Sequence, residues 1–293
     1  QAALLSLDPR TGYVKAWVGG YDFIKNEFDH IYQAQRQPGS AFKPFTYLTA
    51  LNMGFSPGTV IEDSPVTFNT IEGPYGPQNY TKTYLGGLTL RKALERSINV
   101  VSIKLIDLID PSNVMVTCRK LGIKSYLAPV LSLALGSVEV NMLEMANAYT
   151  VIANSGMKAE AVTIMRIEDR NGNELYKHTL QQTRVFDANV TNTLVDMMKG
   201  VVLYGTGRAA LINRPMAGKT GTTSDYRDAW FFGFIPQMLT ITWVGNNDNS
   251  PMNDVTGGFI PAQMWYDYMS YAAKEVPVAY FPAPYGFISH SIC

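Results

Sequence analysis

The stretch Arg36-Gln37-Pro38-Gly39-Ser40-Ala41-Phe42-Lys43-Pro44-Phe45 runs a turn dipeptide straight into a serine, with a lysine three residues on. A helix starting here places Ser40 and Lys43 on one face, because side chains three apart are neighbours on a helix surface. It also puts the serine where unpaired backbone N–H groups and the positive end of the helix dipole collect, which favours a developing oxyanion. A serine beside a lysine is an alternative to a serine beside a histidine for making a nucleophile. The same residues also read as an ordinary helix start, with Ser40 as N-cap and Lys43 as a solvated first-turn residue. Alone, the stretch leaves both readings standing.

Working outward, residues 2–7 and 13–18 read as strands around turn chemistry at Asp8-Pro9-Arg10-Thr11-Gly12, so a hairpin opens the chain and ends at Gly19-Gly20. The helix runs from about Ser40 to Leu51 and is stopped by Gly54 and Pro57. Residues 55–87, rich in Gly, Pro, Asn and Thr, form a long irregular excursion. Helical patterning covers Thr89 to Ile109 with a break at Asn99. It resumes at Pro111-Ser112 towards Leu121, with Gly122 as its stop. Another helix spans 139–154, ended by Ser155-Gly156, and a hairpin spans 162–177 about Asn171-Gly172. A helix from about Asn189 to Val202 precedes the glycine-flanked stretch Tyr204-Gly205-Thr206-Gly207-Arg208. Strands at 215–221, 229–235 and 239–245 lead to a closing helix at 261–274. Strands at both ends with helices between predict an α+β fold: one antiparallel sheet formed from both chain termini, with flanking helices and an inserted helical subdomain.

Bulk properties exclude several classes. The 293 residues include 24 basic and 24 acidic ones, with no basic run, which argues against a nucleic-acid partner. The most apolar helical candidate, Val100 to Ile109, contains Lys104 and Asp107 and cannot span a membrane. Cys118 and Cys293 make neither a disulfide framework nor a thiol metal site. His30, His178 and His290 lack ligand spacing and read as structural or surface residues, so no metal site is expected. The chain opens without an initiator Met, signal peptide or anchor, which reads as a mature or excised domain. The sequons at Asn79 and Asn189 matter only in a eukaryotic secreted protein.

Two further stretches carry polar side chains in tight spacing. In Glu95-Arg96-Ser97-Ile98-Asn99-Val100, Ser97 and Asn99 are two apart and point the same way on a turn or strand-like segment. A hydroxyl and an amide so placed can relay a proton and hold a peptide carbonyl. Taken alone, the pair reads first as a helix cap. In Ala217-Gly218-Lys219-Thr220-Gly221-Thr222-Thr223, a predicted strand, Lys219 and Gly221 face one side and Thr220 and Thr222 the other. The edge N–H groups of such a strand bind an extended substrate by strand addition. The threonine hydroxyls and lysine charge suit a terminal carboxylate, and Gly221 permits close approach of another backbone. A phosphate-loop reading fails, because the spacing requires glycine at 213, where Asn213 stands.

In order, Ser40-x-x-Lys43, Ser97-x-Asn99 and Lys219-Thr220-Gly221 resemble the active-site triplet of penicillin-binding proteins and serine β-lactamases. Their surroundings, with Ala134-Leu135-Gly136-Ser137-Val138-Glu139 and Asp228-Ala229-Trp230-Phe231-Phe232-Gly233, are similar to the class A, bifunctional penicillin-binding proteins. The likeness covers about residues 2–275, that family's transpeptidase domain, and implies a transpeptidase domain at 1–275 with a C-terminal tail at 276–293. The family's membrane anchor and glycosyltransferase domain are not in this chain. They are expected upstream in the full-length protein, at the extracytoplasmic face of the bacterial cytoplasmic membrane.

The resemblance implies acyl transfer on peptidoglycan stem peptides ending in D-Ala-D-Ala. Ser40 attacks the penultimate D-Ala carbonyl and releases D-Ala, and the acyl-enzyme passes to an amine of a neighbouring stem peptide. Lys43 acts as base, which needs a shift of roughly 3 pKa units, or about 4 kcal/mol, supplied by burial and by the charge of Lys219. Ser97 passes the proton to the leaving amine, and Asn99 binds the substrate amide and Lys43. The backbone N–H groups of Ser40 and Thr222 form the oxyanion hole, and Lys219, Thr220 and Thr222 hold the carboxylate beside Gly221. No metal or organic cofactor is implied, and β-lactam antibiotics acylate Ser40. The alternatives are a D,D-carboxypeptidase or β-lactamase on the same fold, or a non-catalytic penicillin-sensing module. The Glu-x-x-Leu-Asn pattern of class A β-lactamases is unmatched, with Glu139 and Glu144 reading as helix residues.

Overall fold

The computed structural model describes residues 1–71 and 73–288, so His290 and Cys293 lie outside the described residues. Strands β1 (Ala2–Leu7), β2 (Val14–Val18), β3 (Ala217–Thr222), β4 (Asp228–Ile235) and β5 (Met238–Gly245) form one sheet in the order β3-β4-β5-β1-β2. Strand β1 pairs antiparallel with β5, Ala2 opposite Val244 and Leu7 opposite Leu239, so the two ends of the chain build the middle of the sheet. The expected α+β architecture is therefore present.

Strand β4 is buried along its whole length because both of its faces are covered. Side chains alternate across a strand. Trp230, Phe232 and Phe234 join the main helical core, while Phe231 and Ile235 join a second core with Trp265 and Met269. The second core belongs to α7 (Ile260–Ala272). Gly233 is the gap that admits α7: a Cβ there would lie 2.6 Å from the Trp265 ring, whose Nε1 donates to the Gly233 carbonyl at 3.1 Å. Each such buried large side chain contributes roughly 1.5–3 kcal/mol relative to exposure.

The main core is formed with α1 (Lys43–Asn52), α2 (Leu90–Glu95), α3 (Asn99–Ile109), α4 (Pro111–Leu121), α5 (Met142–Ala153) and α6 (Ala188–Leu203). Gly122, at φ 101°, caps α4 in the left-handed conformation, as its position predicts. Past α7 the chain stays docked, with Phe281 buried edge-on against Phe234.

Four expectations are corrected. The helix read from Ser40 is a 3₁₀ turn over Gly39–Phe42 followed by α1, with Pro44 in the first turn of α1. Lys43 keeps helical backbone before Pro44, at φ −50° and ψ −42°, and Pro44 in the first turn gives up only an N–H that has no helical partner. The excursion at 55–87 holds two small antiparallel ribbons, Val60–Asp63 with Gly86–Thr89 and Phe68–Thr70 with Gly73–Tyr75. These strands are too short to show periodicity. The hairpin at 162–177 pairs only Arg166–Glu168 with Glu174–Lys177, while Val162 bridges to Tyr13. Glu139 precedes α5 rather than lying in it, because Asn141 caps that helix through its side chain.

Candidate active site

Three glycines set the position of Ser40. A Cβ on Gly39 (φ 55°) would lie 2.5 Å from the Thr222 carbonyl oxygen, and one on Gly221 would lie 2.3 Å from that of Pro38. A Cβ on Gly136 (φ 68°) would lie 2.2 Å from the Gly39 carbonyl oxygen, and the Gly39 N–H donates to Gly136 O at 3.3 Å. The turn carrying Ser40 is thus pressed backbone to backbone between the Ala134–Glu139 stretch and β3. Gly221 was expected to permit the close approach of another backbone, and the Pro38 carbonyl makes that approach. Side chains complete the clamp: Tyr149 Oη donates to Ala41 O at 2.6 Å and Trp230 Nε1 to Gln37 O at 2.9 Å.

Strand β3 lies at the sheet edge. The Thr223 N–H donates to Asp228 O at 3.1 Å, and antiparallel ladders alternate, so Thr222 and Thr220 turn their N–H and C=O groups away from β4. The Thr222 N–H therefore faces the side against which Gly39 packs. The Ser40 N–H lies in the first turn of the 3₁₀ segment, where a donor has no partner within the helix. Both donors expected for an oxyanion hole border the same turn.

Lys43 is fully buried, against the solvated alternative. Its Nζ donates to the Ser97 carbonyl at 2.6 Å and to Asn99 Oδ1 at 2.8 Å, and lies 3.2 Å from Ser97 Oγ. A neutral amine uses its two hydrogens on the carbonyl and the amide oxygen and keeps a lone pair. Lys219, also fully buried, donates from Nζ to Ser97 Oγ at 2.8 Å and to Thr220 O at 3.1 Å. The Ser97 hydroxyl thus links two lysine nitrogens. Among the described residues no carboxylate lies within ion-pair distance of either lysine. Burial, then the charge of Lys219, drives the Lys43 pKa well below its ordinary value, and burial lowers that of Lys219 to about 7. Two ammonium groups cannot share one buried hydroxyl cheaply, so the pair holds fewer than two protons near neutrality.

Ser40 stands one turn before Lys43, but its hydroxyl has no hydrogen-bond partner among the described residues. Lys43 reaches across to Ser97 and Asn99 instead. Ser97 has φ 57°, a left-handed conformation that strains a residue with a Cβ, and this turns its carbonyl and hydroxyl together onto Lys43. The structure thus brings Lys43, Ser97, Asn99 and Lys219 into one hydrogen-bonded cluster beside Ser40. The threonines are partly engaged: Thr220 Oγ1 lies 2.7 Å from Thr206 Oγ1, and Thr222 Oγ1 accepts from the Gly257 N–H at 3.0 Å.

Sequence reasoning missed two supports. Asn79, noted only as a sequon, accepts from the N–H groups of Asn99 and Val100 at 3.1 Å and so caps α3 from a distant loop. Its own amide donates to buried Asp63, while Asn99 Nδ2 donates to Gln78 O at 3.0 Å. The second is Thr206, from the glycine-flanked stretch. A Cβ on Gly205 would lie 2.0 Å from the Glu95 carbonyl oxygen, which ties that stretch to the segment before Ser97. No local signal marks Asn79; the glycines around Thr206 were the only cue for the other. A cavity of about 410 Å³, lined by residues such as Tyr32, Lys124, Glu144 and Glu160, contains none of the cluster.

This fold and this cluster place the chain among proteins built like the penicillin-binding proteins. It superposes on penicillin-binding protein 1A from Haemophilus influenzae with a TM-score of 0.91 and 28% identity, over 97% of this chain and 49% of that one. It superposes on the PonA1 protein from Mycobacterium tuberculosis in complex with penicillin V with a TM-score of 0.89 and 27% identity, over 97% and 81%. The penicillin binding protein transpeptidase domain matches residues 2–270, and the chain belongs to that family. Penicillin-binding protein 1A of Neisseria meningitidis serogroup A is 39% identical over 99% of this chain and 38% of its own length. That of Aquifex aeolicus is 38% identical over 97% and 40%. The chain thus spans about two fifths of the length of these curated relatives, which are class A penicillin-binding proteins.

Proposed function

We infer that this domain is a serine D,D-transpeptidase that cross-links peptidoglycan stem peptides and is acylated by β-lactams. The observation that carries the reading is the buried lysine pair sharing the Ser97 hydroxyl beside Ser40. Lys43, held neutral by burial, takes the proton of Ser40 as Oγ attacks the carbonyl carbon of the penultimate D-Ala. The resulting oxyanion sits between the N–H groups of Ser40 and Thr222, donors already fixed before the reaction. As the C–N bond breaks, the proton on Lys43 passes through the Ser97 hydroxyl to the departing D-Ala amine. Lys219, with its pKa lowered to about 7, is still partly protonated near neutrality, and in that form sets a positive charge against that hydroxyl and beside the substrate carboxylate, which Thr220 and Thr222 also approach. An amine of a second stem peptide then attacks the ester, Lys43 takes its proton, and Ser40 is regenerated as the cross-link forms. Asn99 serves the cluster twice, its oxygen fixing Lys43 and its amide facing the cleft wall at Gln78.

The whole protein is read as carrying a glycosyltransferase domain upstream and acting at the extracytoplasmic face of the bacterial cytoplasmic membrane. This rests on the coverage of the class A relatives. Among the described residues no helix is long and apolar enough to cross a membrane.

Intact-mass analysis after incubation with benzylpenicillin tests the reading. A single adduct is expected, absent in Ser40→Ala, and persisting well beyond the seconds in which a β-lactamase turns over. Incorporation of an added D-amino acid into a D-Ala-D-Ala peptide is expected as well. Adduct formation in Ser40→Ala would refute the nucleophile, and hydrolysis without transfer would make the domain a carboxypeptidase.

A further inference from the structure

Tyr80 and Tyr226 meet hydroxyl to hydroxyl at 3.0 Å, their rings edge to face with centroids 6.5 Å apart. They come from opposite sides of the Ser40 cluster, 146 residues apart in sequence. Tyr80 follows Gln78 and Asn79, whose carbonyl and side chain hold Asn99 on the wall that also carries Ser97. Tyr226 closes the short turn Ser224–Tyr226 between β3 and β4, four residues past Thr222, on the wall that carries Lys219. Ser40 and Lys43 lie between these walls, through Gly39 against Thr222 and Nζ against Ser97. A link from residue 80 to residue 226 therefore crosses the mouth of the cleft.

The Tyr226 end has unusual support. Asp225 and Tyr226 are consecutive left-handed residues, at φ 56° and 54°, and neither is glycine. Backbone of that kind persists where surrounding contacts over-determine it. Here the Tyr226 carbonyl is held by the Met252 N–H at 3.1 Å and its hydroxyl by Tyr80. Tyr80 is 69% exposed, so its hydroxyl competes with water for this bond. The contact closes the mouth without sealing it.

We propose that Tyr80 and Tyr226 form a crossbar that sets, by size, which acyl donors reach Ser40. This rests on the Ser40 reading given above. A compact ligand passes beneath the joined hydroxyls; a ligand with a bulky side chain on the acyl group parts them first. The Tyr226 hydroxyl also faces the Asp254 carboxylate, so Tyr80→Phe removes the crossbar alone while Tyr226→Phe removes the Asp254 contact with it.

The test is the second-order acylation constant of Tyr80→Phe, Tyr226→Phe and the double variant. The probes are benzylpenicillin and a penicillin whose side-chain amide bears a large fluorophore. Each single change is expected to raise the constant for the bulky probe about 3- to 10-fold, the range of one neutral hydrogen bond. The benzylpenicillin constant should stay within about two-fold, and the double variant should match Tyr226→Phe, since Tyr80 has nothing left to bond once the Tyr226 hydroxyl is gone. Equal changes for both probes, no change for either, or additive effects would overturn the crossbar. Failure of the unaltered protein to be labelled by either probe would overturn the Ser40 reading itself.

Discussion

At the scale of single residues, the decisive fact concerns Lys43. Its side chain is fully buried and bonded to two oxygens that only accept, beside a second buried lysine. A lysine there is useful as a base only when neutral, and its lowered pKa makes that form available near neutral pH. Lys43→Met, uncharged and of similar length, should therefore fold yet lose about 10³-fold in benzylpenicillin acylation at every pH, since a thioether takes no proton. The unaltered domain should lose acylation progressively as pH falls and Lys43 is protonated, measured by intact mass over a pH series. A flat pH profile in the unaltered domain would contradict the assignment. The residue types were legible in sequence: Ser40, Lys43, Ser97, Asn99 and Lys219 stand in a recognisable order. That Lys43 bonds the Ser97 carbonyl was not, because it depends on a left-handed backbone at Ser97 that no local propensity predicts.

At the scale of elements, the site is a contact between a turn and an edge strand. Gly39 and Gly221 let the Ser40 turn and β3 approach backbone to backbone, and a methyl group on either meets a carbonyl oxygen within 2.5 Å. Gly39 also needs its left-handed φ of 55°. Gly221→Ala is expected to push the turn off β3 and separate the two oxyanion donors. Acylation should fall by about 10²-fold or more, the scale of losing one such donor. Thermal unfolding should shift down by several degrees, the scale of about 1–3 kcal/mol for overpacking. Normal acylation in a folded Gly221→Ala variant would show that the approach is not required. Helices and long strands were readable because their periodicity is local, as in the alternation of β4 between two cores. The 3₁₀ entry to α1 and the small ribbons at 60–89 were not, since both are shorter than the window in which a period can be seen.

At the scale of the whole molecule, burying two lysines leaves a pH signature. Lys43 and Lys219 bind protons more tightly unfolded than folded, so the unfolded chain takes up the extra protons and stability rises with pH. For Lys219 the window runs from about 7 in the folded state to its ordinary value of 10.5. Across it the gain is about 5 kcal/mol for that residue alone. Urea unfolding should show this rise, and Lys43→Met/Lys219→Met should flatten it whatever its own stability. An unchanged slope in the double variant would mean that neither lysine is deprotonated by folding.

Turn chemistry, side-chain periodicity and residue spacing act within a few neighbours, so the longer helices and strands, the α+β class and the order of the three motifs are legible in the chain alone. The residues around each motif also mark the family. What those motifs touch is settled by packing. It seated β1 beside β5, set Gly221 against Pro38, made Asn79 the cap of α3, and joined Tyr80 to Tyr226. Each of these is a contact between distant segments, fixed by how the helical core and the sheet pack together. Ser40 is a turn residue by its neighbours; its setting beside two buried lysines is a property of the packed molecule.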